Sequence, residues 1–293
     1  MKELIVGLGE ILWDIFPESK VLGGAPANFA YHATQLGGNG FVVSAIGDDR
    51  LGREIIPTLQ NKGLESYLET TDYPTGTVKV TIDKQGIPDY EIVENVAWDN
   101  ISFNTHIENI ARNTIAVCFG TLAQRNLLSR KTINRFLETI PENCLKIFDI
   151  NLRQQYYSKE IIEGSLSIAN VLKINDEELV ILSEMLCIGG NEKDLCLCLL
   201  DMYNLNVIIL TKGISGSWIF TPDESSFLPT PKVKVVDTVG AGDSFTAAFT
   251  IAILNGKPLK EAHTLAVEVS AYVCRQQGAM PQLPKSFREK IIT

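Results

Sequence analysis

Short apolar runs alternate with amphipathic stretches along most of the chain. Leu4 to Leu8, Phe41 to Ile46, Ile115 to Phe119, Leu145 to Ile150, Asn170 to Ile174 and Val207 to Leu210 are hydrophobic segments of strand length, and helical patterns separate many of them. Strands buried on both faces between helices predict βαβ units and a mostly parallel sheet covered on both sides. Ala241 to Leu254 and Leu259 to Gln276 read as two late helices. Two stretches depart from this pattern. Thr75 to Asp83 places Val78, Val80 and Ile82 on one face and Thr77, Lys79 and Thr81 on the other. Such alternation marks a half-exposed strand. A Lys84-Gln85-Gly86 turn and a strand around Tyr90 to Val93 complete a predicted antiparallel hairpin. Ile11 to Phe16 is also extended. Segments of about 11–20 and 73–100 are therefore expected to build a small second sheet. It is either a lid over the mouth of the main domain or a decoration of the sheet edge.

Composition then narrows the function. With 293 residues and no linker, repeat or low-complexity tract, one domain spanning 1–293 is expected. Hydrophobic content of 45% with 21% charged residues excludes disorder as the default. A formal charge of −9 without a basic run argues against a nucleic-acid partner. No apolar run approaches the roughly 18 residues of a membrane span. Glu10 follows the first residues too soon for a signal peptide, so a cytoplasmic protein is expected. Six scattered cysteines without C-x-x-C spacing read as reduced thiols rather than a zinc site.

Candidate chemistry gathers between Val235 and Phe245. A strand over Val233 to Val236 is expected to end in a glycine turn that opens an apolar helix. Gly240 and Gly242 free the backbone to present N–H groups, with that of Ala241, at a helix N-terminus. Such a turn suits a transferring phosphoryl group. Asp243 lies in the first helical turn. It is either an acid favoured by the helix dipole or a base that accepts a hydroxyl proton. No P-loop is present, and Leu12 stands where a dinucleotide fingerprint after Gly7 and Gly9 needs glycine.

Asp237-Thr-Val-Gly-Ala-Gly-Asp-Ser-Phe245 resembles the C-terminal signature of the ribokinase-like (PfkB) carbohydrate kinases. Gly23-Gly24-Ala25-Pro26-Ala27-Asn28, followed by Leu36-Gly37 and Ile46-Gly47-Asp48-Asp49, resembles the N-terminal one. The resemblance implies an α/β fold, a three-layer α/β/α sandwich with a mostly parallel central sheet and a β-sheet lid. It implies ATP and Mg²⁺ as cofactors and a small sugar as substrate. Asp243 matches the catalytic base, and Gly240, Ala241 and Gly242 match the anion hole. Asp14, Gly23, Gly24 and Asn28 match the sugar-binding groups. Gly23 to Pro26 reads equally as a turn with proline at a helix start.

Asn175-Asp176-Glu177-Glu178 resembles the family's N-x-x-E motif, which implies that Glu178 helps hold Mg²⁺ through water. By itself the segment is an acidic helix start. Phe148 to Arg153 resembles a strand-end motif; Asn151 would meet the sugar, and Arg153 the phosphate or a surface acid. Thr211, Gly213 and Gly216 resemble the nucleotide loop, and Gly278 part of the adenine pocket. A monovalent cation such as K⁺ binds some members near the residue matching Asp237. Trp98 or Tyr90 is expected against a sugar face or in packing. The G-G-A-P-A-N loop, Thr75 to Val78 and Trp98-Asp99 resemble the bacterial fructokinase branch. The expectation is therefore a fructokinase. Its alternatives are a 2-keto-3-deoxygluconate or nucleoside kinase of the same fold, or a non-catalytic sugar- or nucleotide-binding regulator. A homodimer through the lid would protect its strand edges.

Overall fold

The structure is a computed structural model that describes residues 3–82 and 88–292. In chain order the elements are β1 Leu4–Leu8, β2 Leu12–Ile15, β3 Lys20–Gly23, α1 Ala25–Gln35, β4 Gly40–Gly47, α2 Arg50–Asn61 and β5 Glu65–Thr71. There follow β6 Thr77–Ile82, β7 Pro88–Ile92, α3 Thr105–Arg112, β8 Thr114–Phe119, α4 Leu127–Thr139, β9 Leu145–Asp149 and α5 Lys159–Ile168. Next come β10 Val171–Asn175, α6 Asp176–Leu186, α7 Glu192–Met202, β11 Val207–Thr211, β12 Ser217–Phe220 and β13 Ser225–Leu228. The last three are α8 Ala241–Leu254, α9 Leu259–Val273 and α10 Lys285–Ile292.

Nine strands form the large sheet in the order β13-β12-β11-β10-β9-β8-β1-β4-β5. It is parallel from β5 to β11, and β12 and β13 extend it antiparallel. Side-chain alternation sorts its residues into two cores. Ile5, Cys118, Ile147, Val171 and Ile209 pack with α1, α8 and α9. Val6, Val117, Phe148, Leu172 and Leu210 pack with the opposite helices. A parallel sheet with helices on both faces is the three-layer α/β/α arrangement of ribokinase-like proteins.

The second sheet runs β3-β2-β6-β7. Val78, Val80 and Ile92 turn its apolar face toward the body, where they are buried. The expected Lys84-Gln85-Gly86 turn lies outside the described residues. Three expectations need correction. Val233 to Val236 is no strand; the large sheet ends at β13, and this segment keeps one link near its end, from Val236 N–H to the Cys274 carbonyl at 2.8 Å. α9 ends at Val273, short of Gln276. Trp98 offers no face to a sugar: it is wholly buried in the core, with the Arg125 guanidinium 4.0 Å from its ring.

Candidate active site

Parallel strands place their C-terminal ends along one edge, where α/β proteins bind ligands. Here β1 ends just before Glu10, β9 brings Asp149, and β10 brings Lys173. Lys173 and Asp149 are register partners, and their side chains form a buried ion pair of 3.0 Å. Burial disfavours the lysine's charge, but Asp149, Glu178 and Asp243 outweigh that and hold its pKa above the usual value.

Asp243 is the third residue of α8 and accepts a 2.8 Å hydrogen bond from Asn28 Nδ2. The two motifs at opposite ends of the chain thus meet in one contact. Burial and then the charge of Asp149 raise the Asp243 pKa to about 6, against the opposing effects of Asn28, Lys173 and Arg153. A base with that value is ionised at neutral pH yet stronger than an ordinary aspartate. Gly240 caps the helix at φ 77°, and a Cβ there would stand 2.7 Å from Ala279. Glycine is required by both conformation and space. One correction falls on the anion hole: Ala241 N–H donates to the Thr238 carbonyl at 3.2 Å, closing the turn instead of facing a phosphate. Gly242 lies against Lys173, whose Nζ would be 3.2 Å from a Cβ added there.

On the small sheet, Asp14 sits on β2 opposite Val21 of β3, and burial raises its pKa to about 6. Gly23 makes room for it; a Cβ would lie 2.6 Å from its Oδ2. Gly24 at φ 113° passes over the Glu10 carbonyl, 2.4 Å from where a Cβ would be. The Asn28 Oδ1 is buried without a partner. Asn151, at φ 43°, shares a narrow pocket with Glu10, Thr121 and Asp149. Arg153 is exposed and donates to the Leu152 carbonyl at 3.1 Å, while its charge still lowers the pKa values of Asp243 and Glu10.

The N-x-x-E segment forms a capping box at the start of α6. Asn175 Oδ1 accepts from Glu178 N–H at 2.8 Å, and Glu178 Oε2 accepts from Asn175 N–H at 2.9 Å. Glu178 Oε1 accepts from Leu152 N–H at 2.9 Å, and burial raises its pKa against the attraction of Lys173. With an N–H on each oxygen, Glu178 is fixed in place and keeps a lone pair on each oxygen for a further donor such as a water. Among the described residues no cluster of three or more histidine, cysteine or acidic side chains could hold a metal ion.

Thr211 ends β11. The loop beyond it closes through Lys212 N–H to the Gly216 carbonyl at 2.9 Å, with Gly213 at φ 49° and Gly216 at φ 113°. Asp237 accepts from Val239 N–H and Gly278 N–H, each at 3.0 Å, and so ties the glycine turn to the Gly278 loop. Glu10, Asp149 and Lys173 were not singled out from sequence. The available signal was a lone lysine inside the apolar Val171–Asn175 strand, which needs a buried acid beside it.

A buried carboxylate of raised pKa in the first turn of a helix is an arrangement that can accept a hydroxyl proton beside groups able to receive a phosphoryl group. This defines a phosphotransferase with an alcohol acceptor. The chain belongs to the pfkB family of carbohydrate kinases, whose family profile matches residues 16–286. It is 29% identical to a probable fructokinase-5 of Arabidopsis thaliana, over 96% of this chain and 94% of that protein. It is 28% identical to an ATP-dependent 6-phosphofructokinase of Thermoanaerobacterium thermosaccharolyticum, over 90% and 82%. A solved sugar kinase structure from Pyrococcus horikoshii superposes with a TM-score of 0.85 at 23% identity, covering 99% of this chain and 100% of that one. Among the described residues no helix is long and apolar enough to cross a membrane.

Proposed function

We propose that this carbohydrate kinase transfers the γ-phosphate of ATP to a primary hydroxyl of fructose. The observation that carries the choice of a neutral sugar is the commitment of nearby cations elsewhere. Lys20 of β3 pairs with Glu54, and Arg125 with Asp99. A sugar phosphate needs free cations around its phosphate. Likeness to a fructokinase along nearly the whole chain supports the same reading.

In this mechanism Asp14 and Asn28 orient the sugar, with acceptors that its hydroxyl donors match. Asp243 accepts the proton of the reacting hydroxyl, late in a loose transition state. The amides of Gly240 and Gly242 and the Arg153 charge stabilise the moving phosphoryl group. Glu178 would hold Mg²⁺ through water, and the metal would supply neutralisation of the ATP phosphate charge. The small sheet acts as a lid that excludes water.

The test is ADP release with Mg-ATP and fructose, ribose, 2-keto-3-deoxygluconate, adenosine or fructose 6-phosphate. Fructose is expected to give the highest kcat/KM. A clear preference for fructose 6-phosphate would overturn the argument from committed cations, and sugar binding without ADP release would indicate a regulator.

A further inference from the structure

Residues 151–157, between β9 and α5, touch three separate parts of the molecule. On the inner side, Leu152 N–H holds Glu178 Oε1 at 2.9 Å, and the Arg153 charge acts on Asp243. On the outer side, Gln154 Nε2 donates to the Tyr90 carbonyl of β7 at 2.6 Å. The Tyr156 hydroxyl donates to Glu94 Oε1 at 2.8 Å, just beyond that strand. The Tyr156 ring lies 4.7 Å from the Arg125 guanidinium, which bonds the Val93 carbonyl at 2.7 Å and Asp99 at 2.7 Å. Asn151 and Gln154 both adopt left-handed backbone conformations, at φ 43° and 48°. Non-glycine residues hold such angles where their surroundings impose them.

We infer that this segment couples the small sheet to the phosphoryl-transfer site, with Gln154 and Tyr156 as positioning residues acting through Arg153. The inference rests on the sugar-kinase reading. Arg153 and Gln154 are adjacent, and a turn bond from Tyr156 N–H to the Arg153 carbonyl at 3.0 Å stiffens the link. A displacement of β7 is therefore passed to Arg153 instead of being absorbed. Sugar bound beneath β2 and β6 would settle the sheet, set Arg153 toward the phosphate, and leave ATP poorly aligned for hydrolysis when no sugar is present.

The test combines Tyr156→Phe, Gln154→Ala and Arg153→Ala, singly and paired, in assays of sugar-dependent ADP release. Arg153→Ala should lower kcat roughly 100-fold, as removal of a charge-stabilising donor does. Tyr156→Phe and Gln154→Ala should each lower kcat about 3- to 10-fold, the worth of one hydrogen bond, with sugar KM changed less than about 2-fold. In the Arg153→Ala background neither should add a further loss. Additive losses, or wild-type kcat in both positioning variants, would overturn the coupling while leaving the kinase reading intact. If wild-type protein phosphorylates no sugar, the functional reading fails. The coupling is then decided by Mg-ATP binding with and without fructose. Fructose tightening Mg-ATP binding in wild type and not in Tyr156→Phe supports it; equal behaviour of the two proteins overturns it.

Discussion

Four carboxyl groups, Glu10, Asp149, Glu178 and Asp243, gather around the cations Lys173 and Arg153, and the surplus of acid has two consequences. The first is catalytic. With its pKa raised to about 6, Asp243 must be ionised to accept a proton, so kcat/KM should fall tenfold per pH unit below about pH 6. Asp243→Asn keeps the size but removes the base, and should lower kcat about 10²- to 10⁴-fold in an ADP-release assay. Near-normal turnover would exclude that role. The second consequence concerns stability. Glu10 is 4% exposed, has one oxygen without a partner, and burial raises its pKa to about 7. A folded state that holds this proton more tightly than the unfolded chain loses stability as pH rises from about 4.5 to about 7. Glu10→Gln, which cannot ionise, should be more stable than wild type at pH 8 by about 1–3 kcal/mol, with the gap closing toward pH 4.5 in thermal melts. At this scale the sequence singled out Asp243, Asn28 and Asp14 by resemblance, and the fold brings the first two into contact. The sequence did not reveal Glu10 or Lys173, because a buried charge shows its purpose only when its partners, distant in the chain, are in place.

Glycines and caps fix how the elements meet. Gly23 ends β3 beside Asp14, so Gly23→Ala pushes a methyl onto the carboxylate proposed to hold the sugar. Its sugar KM should rise roughly tenfold or more, for a displaced bidentate acceptor, with Mg-ATP KM unchanged. Equal changes in both would place Asp14 outside the sugar site. Asn175→Ala removes the α6 cap and should cost about 1 kcal/mol in chemical denaturation. Hydrophobic periodicity disclosed the core strands because each is buried on both faces. It overlooked β3, whose four residues include a lysine and a glycine and which exists by pairing with β2. It misplaced Val233 to Val236 for the opposite reason: β-branched residues suit a strand, but no neighbouring strand accepts them.

At the scale of the whole molecule, the small sheet shares one core with the large one through Leu12, Val78, Val80 and Ile92. Ligands that bind only the folded state raise its stability, by about 2.7 kcal/mol at a hundredfold excess over Kd. Saturating fructose should therefore raise the melting temperature of wild type, and the rise should vanish in Asp14→Ala. The small sheet has β3 and β7 at its edges, and Gln154 already occupies the Tyr90 carbonyl of β7. That leaves β3 as the edge for pairing between two copies. The expected homodimer is tested by sedimentation; a monomer at micromolar concentration would count against it.

The placement of the three tryptophans gives the protein a built-in optical reporter. Trp13 lies on β2 beneath the Lys20 ammonium, 4.6 Å from its ring, and Trp98 lies against Gly76 under the Arg125 guanidinium. Trp218 is far along the large sheet, on β12, where its ring meets those of Phe220 and Phe227. Lys20 is tied to Glu54 of α2, so a shift of the small sheet against α2 disturbs the cation above Trp13 and leaves Trp218 as an internal reference. Intrinsic fluorescence should therefore follow sheet movement in the unlabelled protein on the millisecond scale, before any phosphate has moved.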